Sequence, residues 1–368
     1  MKLKQLPIII LFLFATFSVK MAKANNADDV STLAEDQVLL EQNLSFQIDG
    51  QLAADTYFQE IPAQNPNYYL NESFVSLSMA YQERVRAVLT ANLGSIIDLE
   101  NVAFNENVDI EKFVREAYIE LRHINNIPVA ILIGKQPISF GQNIQEMPAW
   151  ALGPLRGLQE IREVYGITMT LTESLIGLFD QIDYSIYEQD RGDLRLGKIN
   201  GHNLRLTKYL NEQILLTIGA QKEENQLNQQ NSYQGRIGLV GVNKNGKYIG
   251  WAEGIILTND PQYPESHLAL TIGSKYEFYQ NSFVVAELNF IQHEILQLGI
   301  GLKTLINKTL MAGIDFRVTQ NLAANETDYF LGFNLTYYFN LGTNTEKNQG
   351  LILFEDDESM EDFILEDF

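Results

Sequence analysis

From residue 44 to residue 341, apolar and polar residues alternate with a period of two. Leu44, Phe46, Ile48 and Leu52 alternate with Ser45, Gln47, Asp49 and Gln51. Val75, Leu77, Met79 and Tyr81 stand against Ser76 and Ser78, and Val85, Ala87, Leu89, Ala91 and Leu93 against Arg84, Arg86, Thr90 and Asn92. Later runs repeat the pattern: Tyr165, Ile167, Met169 and Leu171, then Leu296, Leu298, Ile300 and Leu302, then Ile314, Phe316 and Val318. Such alternation marks strands with one apolar and one polar face. About sixteen such segments are legible, near 44–54, 69–81, 84–94, 113–122, 128–138, 163–173, 177–188, 201–210, 213–222, 233–242, 247–258, 267–279, 282–291, 295–305, 308–319 and 329–340.

The apolar face belongs either to the core of a soluble sandwich or to the lipid-facing wall of a membrane barrel, and segment length separates the two. Soluble strands average about 5–6 residues, whereas tilted membrane strands need about 9–11. Most of these segments reach the longer figure. The connections also alternate in length. Gln82-Glu83, Glu173-Ser174, Asn211-Glu212, Asn243 to Gly246 and Gln280-Asn281 read as tight turns. Between them lie longer polar stretches near 55–68, 95–112, 139–162, 189–200, 223–232, 259–266 and 320–328. Short turns at one end and long loops at the other are the asymmetry of a transmembrane barrel. Gln292-His293-Glu294 departs from this, being short where a long loop belongs. Aromatic residues gather at segment ends, namely Tyr68, Tyr69, Tyr81, Tyr184, Tyr187, Tyr276, Tyr279, Tyr337, Tyr338 and Phe339, where two interfacial girdles are expected. The fold expected is all-β: a transmembrane, antiparallel, up-and-down β-barrel of about sixteen strands over 44–341.

Composition agrees. Hydrophobic residues make up 45% of the 368, an ordinary soluble value that a barrel also shows, because only alternate residues face lipid. The 47 acids and 26 bases leave a formal charge of −21, which argues against nucleic-acid partners, since these need basic surfaces. Cysteine is absent, so disulfides, thiolate metal sites and a lipid-anchored cysteine are excluded.

The ends of the chain read differently. Lys2 and Lys4 precede a nearly continuous apolar run from Leu6 to Val19, and Ala22-Lys23-Ala24 offers a small-x-small cleavage site. Residues 1–24 are therefore expected to be a secretory signal peptide removed after Ala24. The run is short of the roughly 20 residues that a spanning helix needs. Residues 25–43 form an acidic periplasmic leader, and 342–368 an acidic tail containing Glu355-Asp356-Asp357-Glu358 with interleaved Leu351, Leu353, Phe354, Phe363 and Ile364.

Charged residues supply the candidate site. The longest irregular stretch, 139–162, carries Glu146, Arg156, Glu160 and Arg162, with Glu163 just beyond. Arg84, Arg86, Glu116, Glu120, Arg122 and Arg317 fall in the strand segments. Opposed charges across a narrow passage set up a transverse field that orients polar solutes; the alternative is a solvated loop above ordinary wall charges. Catalytic chemistry is poorly supported. His123, His202, His267 and His293 are scattered, no metal-ligand spacing occurs, and Ser266 and His267 would point to opposite faces of a strand.

A resemblance narrows the reading. Phe113-Val114-Arg115-Glu116-Ala117-Tyr118-Ile119-Glu120-Leu121, followed by Ile131-Leu132-Ile133-Gly134-Lys135-Gln136-Pro137-Ile138-Ser139-Phe140-Gly141, resembles a hairpin found in plug-less porins of the phosphate-selective and siderophore-uptake (LbtU-like) kinds. Gly153 to Glu163 resembles the segment that follows it in the siderophore porins. The likeness covers about 60 residues directly. Lys135 stands where Arg is common, and the Pro137-Ile138-Ser139 run displaces the usual proline. The resemblance implies a sixteen-stranded porin of the Gram-negative outer membrane whose third external loop folds into the lumen. Arg156, Glu160, Arg162 and Glu163 would then form a constriction facing Arg84, Arg86, Glu116, Glu120, Arg122 and Arg317.

The expected function is diffusion of small polar solutes or ions, with ferric siderophores one cargo that the resemblance adds. The acidic balance points to mild cation preference. Expected partners are outer-membrane lipid and lipopolysaccharide, small solutes and, for barrels of this strand count, two further copies in a homotrimer; no cofactor or metal is called for. A ligand-binding or adhesive barrel with a closed lumen, and a secreted soluble β-protein, are the alternatives.

Overall fold

The computed structural model describes residues 44–59, 67–69, 73–81, 84–93, 97–98, 103–104, 113–122, 128–139, 160–172, 178–188, 199–224, 231–259, 266–307 and 309–342. The expected signal peptide, the acidic leader and all but the first residue of the tail lie outside these residues, as does Arg156.

Sixteen strands circle the molecule: β1 Leu44–Gln59, β2 Phe74–Tyr81, β3 Val85–Asn92, β4 Val114–Arg122, β5 Val129–Ser139, β6 Glu160–Thr172, β7 Gln181–Glu188, β8 Gly201–Asn211, β9 Ile214–Glu224, β10 Asn231–Val242, β11 Tyr248–Thr258, β12 His267–Tyr279, β13 Ser282–Ile291, β14 Ile295–Asn307, β15 Leu310–Asn321 and β16 Glu326–Gly342. Each pairs antiparallel with the next, and β16 returns to β1 in the register Gln47↔Gly342 through Gln59↔Phe330. The sixteen-stranded sheet therefore closes on itself and its first and last strands are paired. Asn67–Tyr69 prolongs the β2 side of the β1 ladder, and Ile97–Asp98 pairs with Ala103–Phe104 between β3 and β4.

The turn chemistry is local and legible. Asn211 Oδ1 accepts from Gln213 N, Asn243 Oδ1 from Tyr248 N, and Asn307 Oδ1 from Thr309 N, so asparagine side chains close three of the turns. Asn281 (φ 61°) and Gly246 (φ 69°) take the left-handed conformation that tight hairpins demand. Pro137 cannot donate to a ladder, and the β5–β6 register slips between Gln136 and Ile138 around it.

At the opposite end, one short connection stays short and one expected loop shortens. Gln292-His293-Glu294 is a true three-residue turn, with Glu294 N donating to Ile291 O and His293 at φ 64°. The long loop expected over 320–328 shrinks to 322–325, because Asn321 still pairs with Glu326 and its Oδ1 accepts from Ala324 N. Likewise β6 begins at Glu160, paired with Ser139, so Glu160 and Arg162 are strand residues rather than loop residues.

The outer face carries the apolar set. Leu204, Ile237, Leu239, Leu270, Ile272, Leu298, Ile300, Leu302, Ile314, Phe316, Leu331 and Leu335 are all exposed. Burying them individually would be worth about 1.5–3 kcal/mol each, so a continuous exposed belt of this size is a surface made for an apolar solvent. Tyr81, Tyr248, Tyr276, Tyr279 and Tyr337 border it at the tight-turn end, and Tyr184, Tyr233 and Tyr329 at the loop end, all exposed. Two tyrosines depart from the girdle expectation. Tyr187 points inward and is 0% exposed, and Tyr338 turns to the inner face, its hydroxyl 3.9 Å from Met311 Sδ. In each strand the residue's parity, not its nearness to the strand end, decides its face.

Candidate functional site

The inner face of the barrel carries bands of charged and polar side chains. On β3 and β4, register sets Arg86 directly beside Glu120 and Thr90 beside Glu116. Glu120 receives a two-point clasp from Arg122, Nε to Oε1 at 2.7 Å and Nη2 to Oε2 at 3.1 Å. The two residues are two apart on one strand and so share a face. Thr90 Oγ1 lies 3.1 Å from both Ser76 Oγ and Glu116 Oε2.

A second charged band crosses β7 to β11. Asp183, Arg205, Gly219 and Arg236 occupy one continuous lateral row. Gly219, between Arg205 and Arg236 in the row, carries no side chain. Arg205 is only 2% exposed. Arg236 Nη1 meets Glu253 Oε1 at 3.1 Å, and Asp183 accepts from Thr170 Oγ1 at 2.7 Å and from Gln181 Nε2 at 3.0 Å. Two inward positions nearer the loops, Glu223 accepts from Tyr187 Oη at 3.0 Å and Gln221 Nε2 at 2.8 Å.

A third band crosses β12 to β16. Asn289 Nδ2 donates to Glu287 Oε1 at 2.6 Å, Thr271 Oγ1 to Asn289 Oδ1 at 2.9 Å, and Gln297 Nε2 to Thr319 Oγ1 at 3.0 Å. Glu287 and Arg317 flank Gly299 in one row, and the Arg317 guanidinium lies 4.5 Å over the Phe330 ring. Lys275 Nζ sits 4.4 Å over the Phe283 ring.

Part of the inner wall is not polar. Ile249, Trp251, Phe283 and Val285 form one buried cluster, and Ile255, Leu257, Ala269 and Ile291 another. On β11 the larger apolar residues face inward, while Gly250, Ala252 and Gly254 face out, reversing the usual arrangement. The register with β10 (Val240↔Trp251) and β12 (Trp251↔Gly273) imposes this, and the Trp251 ring lies over Gly273, where a Cβ would collide with it.

Of the residues singled out in the sequence, Arg86, Glu116, Glu120, Arg122 and Arg317 line the inner wall. Arg84 does not. It is exposed in the turn between β2 and β3, its N donating to Tyr81 O. Glu160, Arg162 and Glu163 lie in β6; their side chains, and with them the expected constriction, lie outside the described residues. Sequence reading passed over Asp183, Arg205, Arg236, Glu253, Lys275 and Glu287. Their signal was present: Arg205 stands between Leu204 and Leu206, in the polar phase of its strand. Among the described residues no group of three or more His, Asp or Glu side chains converges as a metal site.

Solved structures share this architecture. The fold is that of the bacterial outer-membrane porins. The chain is similar to the outer membrane channel DcaP of Acinetobacter baumannii (11% identity, 81% of this chain and 98% of that chain, TM-score 0.57). It is also similar to an anion-selective porin from Comamonas acidovorans (11% identity, 80% and 100%, TM-score 0.56) and to OmpF of Salmonella typhi (11% identity, 81% and 98%, TM-score 0.56). No protein-family model and no curated protein matches the sequence.

Proposed function

We propose that this chain is a porin of the Gram-negative outer membrane, a passive pore for small polar solutes and ions. One observation carries the reading: a closed sixteen-strand barrel has an apolar belt outside and charged bands inside. A bilayer outside and water inside make both faces favourable at once. In this reading the tight turns face the periplasm, the loops face outward, and residues 1–24 are the export signal. The porin likeness supports a homotrimer.

Acids outnumber bases in the chain, which favours mild cation preference. The alternation of Arg86, Glu120 and Arg122 with Asp183, Arg205, Arg236 and Glu253 favours transverse ordering of polar solutes over strong exclusion of either sign. Ferric siderophores are one cargo class, supported by the resemblance around Glu116 and Gln136. The third loop, with Arg156, is proposed as the narrowing element.

A second reading, a closed ligand-binding barrel, is favoured by the apolar clusters on the inner wall of β10–β13. Single-channel recording of the mature chain in a planar bilayer separates the two. Steady ohmic steps with a cation-directed reversal potential support the porin. Silence from a barrel that shows heat-modifiable mobility supports the closed form.

A further inference from the structure

We propose that Tyr184, His202, Lys222 and Tyr233, on the outer face of β7–β10 at the loop end, bind the phosphate of a membrane-lipid headgroup. The proposal rests on the barrel being embedded in a bilayer. All four side chains are exposed and share the phase of the lipid-facing set: His202 with Leu204 on β8, Tyr233 with Ile237 on β10. Register makes His202, Lys222 and Tyr233 direct cross-strand neighbours on three successive strands, and continues to Thr258 on β11. Direct neighbours in a sheet hold their Cβ atoms about 4.5–5.5 Å apart, so an imidazole, an ammonium and a phenol reach one small anion together.

Among outward basic side chains of the described strands, Lys222 stands apart. Lys208, near the tight-turn end, is paired with Asp180 at 3.1 Å. Lys135 is buried, with Nζ donating to Val114 O at 2.6 Å. Lys222 has neither an ion pair nor a hydrogen bond among the described residues. An ammonium at the boundary of an apolar belt is costly unless it meets water or an anion there. Tyr184 Oη lies 3.1 Å from His202 Nδ1, with the rings stacked at 6.5 Å. In the tautomer where Tyr184 donates to Nδ1, His202 presents its Nε2–H as a donor. Tyr184 and Tyr233 bracket the pair with amphipathic rings of the kind that mark headgroup depth. The nearest acid on this face of β9, Glu224, is the next outward position toward the loop, so the cationic pair sits on its bilayer side. The chemistry fits a phosphorylated lipid: phosphate for Lys222 and His202, acyl chains against Leu204, Ile218 and Ile237.

The test uses the full chain folded in neutral detergent, titrated with diphosphoryl lipid A and, separately, with the same lipid stripped of phosphate. Bound lipid is read by native mass spectrometry. The phosphorylated lipid should bind about tenfold more tightly than the stripped one. Lys222→Ala and His202→Ala should each lose most of that difference, Lys222→Arg should keep it, and Lys208→Ala should leave it unchanged. Heat-modifiable mobility verifies the fold of each variant. Equal binding of both lipids, unchanged binding by Lys222→Ala, or full displacement by equimolar inorganic phosphate would overturn the proposal. Bilayer conductance of Lys222→Ala should match the wild type. If neither conducts yet lipid retention still depends on Lys222, the pore reading fails and this site stands.

Discussion

The Tyr187 ring of β7 lies flat over Gly201 of β8, and its hydroxyl donates to Glu223 two strands away. Glycine leaves a groove in the wall that only a neighbouring ring fills. A Cβ at Gly201 would collide with that ring. Gly201→Ala should therefore destabilise the barrel by about 1–3 kcal/mol through overpacking. Tyr187→Phe, which keeps the ring and loses the donor, should cost about 0.5–1.5 kcal/mol. Urea unfolding from lipid vesicles checks both, and equal costs for the two variants would contradict the packing account.

Arg236 and Glu253 meet at 3.1 Å with both side chains almost fully enclosed. Glu253→Gln removes the carboxylate that meets Arg236, one row from Arg205 and Asp183. The expected stability loss is about 3–5 kcal/mol, the scale of removing one partner of a buried ion pair. Reversal potential under a salt gradient should move toward anions. Arg236→Gln should move it toward cations.

The Arg122–Glu120 clasp gives a contrasting outcome. Arg122 is well exposed, so solvent screens the pair and its removal should change stability by less than about 1 kcal/mol. Glu120→Gln should still shift ion preference toward anions, because the altered charge faces the lumen beside Arg86. A variant that loses stability and keeps its reversal potential would reverse the assignment of this pair to the water-filled side.

Ile300 is 45% exposed at the middle of β14, between inward Gly299 and Gly301. Ile300→Arg should cost about 2–4 kcal/mol at the bilayer midplane. Lys303→Arg, which keeps a charge on the inner face of the same strand, should fold into vesicles with close to wild-type yield. Folding titrations in urea distinguish these, and equal penalties would mean that the two faces of β14 have been assigned wrongly.

The sixteen strands, their approximate limits, the apolar belt and most tight turns were legible in the chain, because each depends on neighbours a few residues away. Leu298, Ile300 and Leu302 declare their face by parity alone, and Asn211, Asn243 and Asn307 close turns with their own side chains. The inner-wall positions of Arg86, Glu120 and Arg317 were legible for the same reason. Tertiary structure decided what parity cannot express. Whether β16 meets β1, and in which register, depends on the whole circuit of ladders. That circuit places Arg205 and Arg236 on either side of Gly219, lays Tyr187 over Gly201, and turns Trp251 and Ile255 inward although their strand is apolar on both faces. A one-residue change in any ladder would send these side chains to the other face, so their meeting is a property of the closed barrel and not of any one strand.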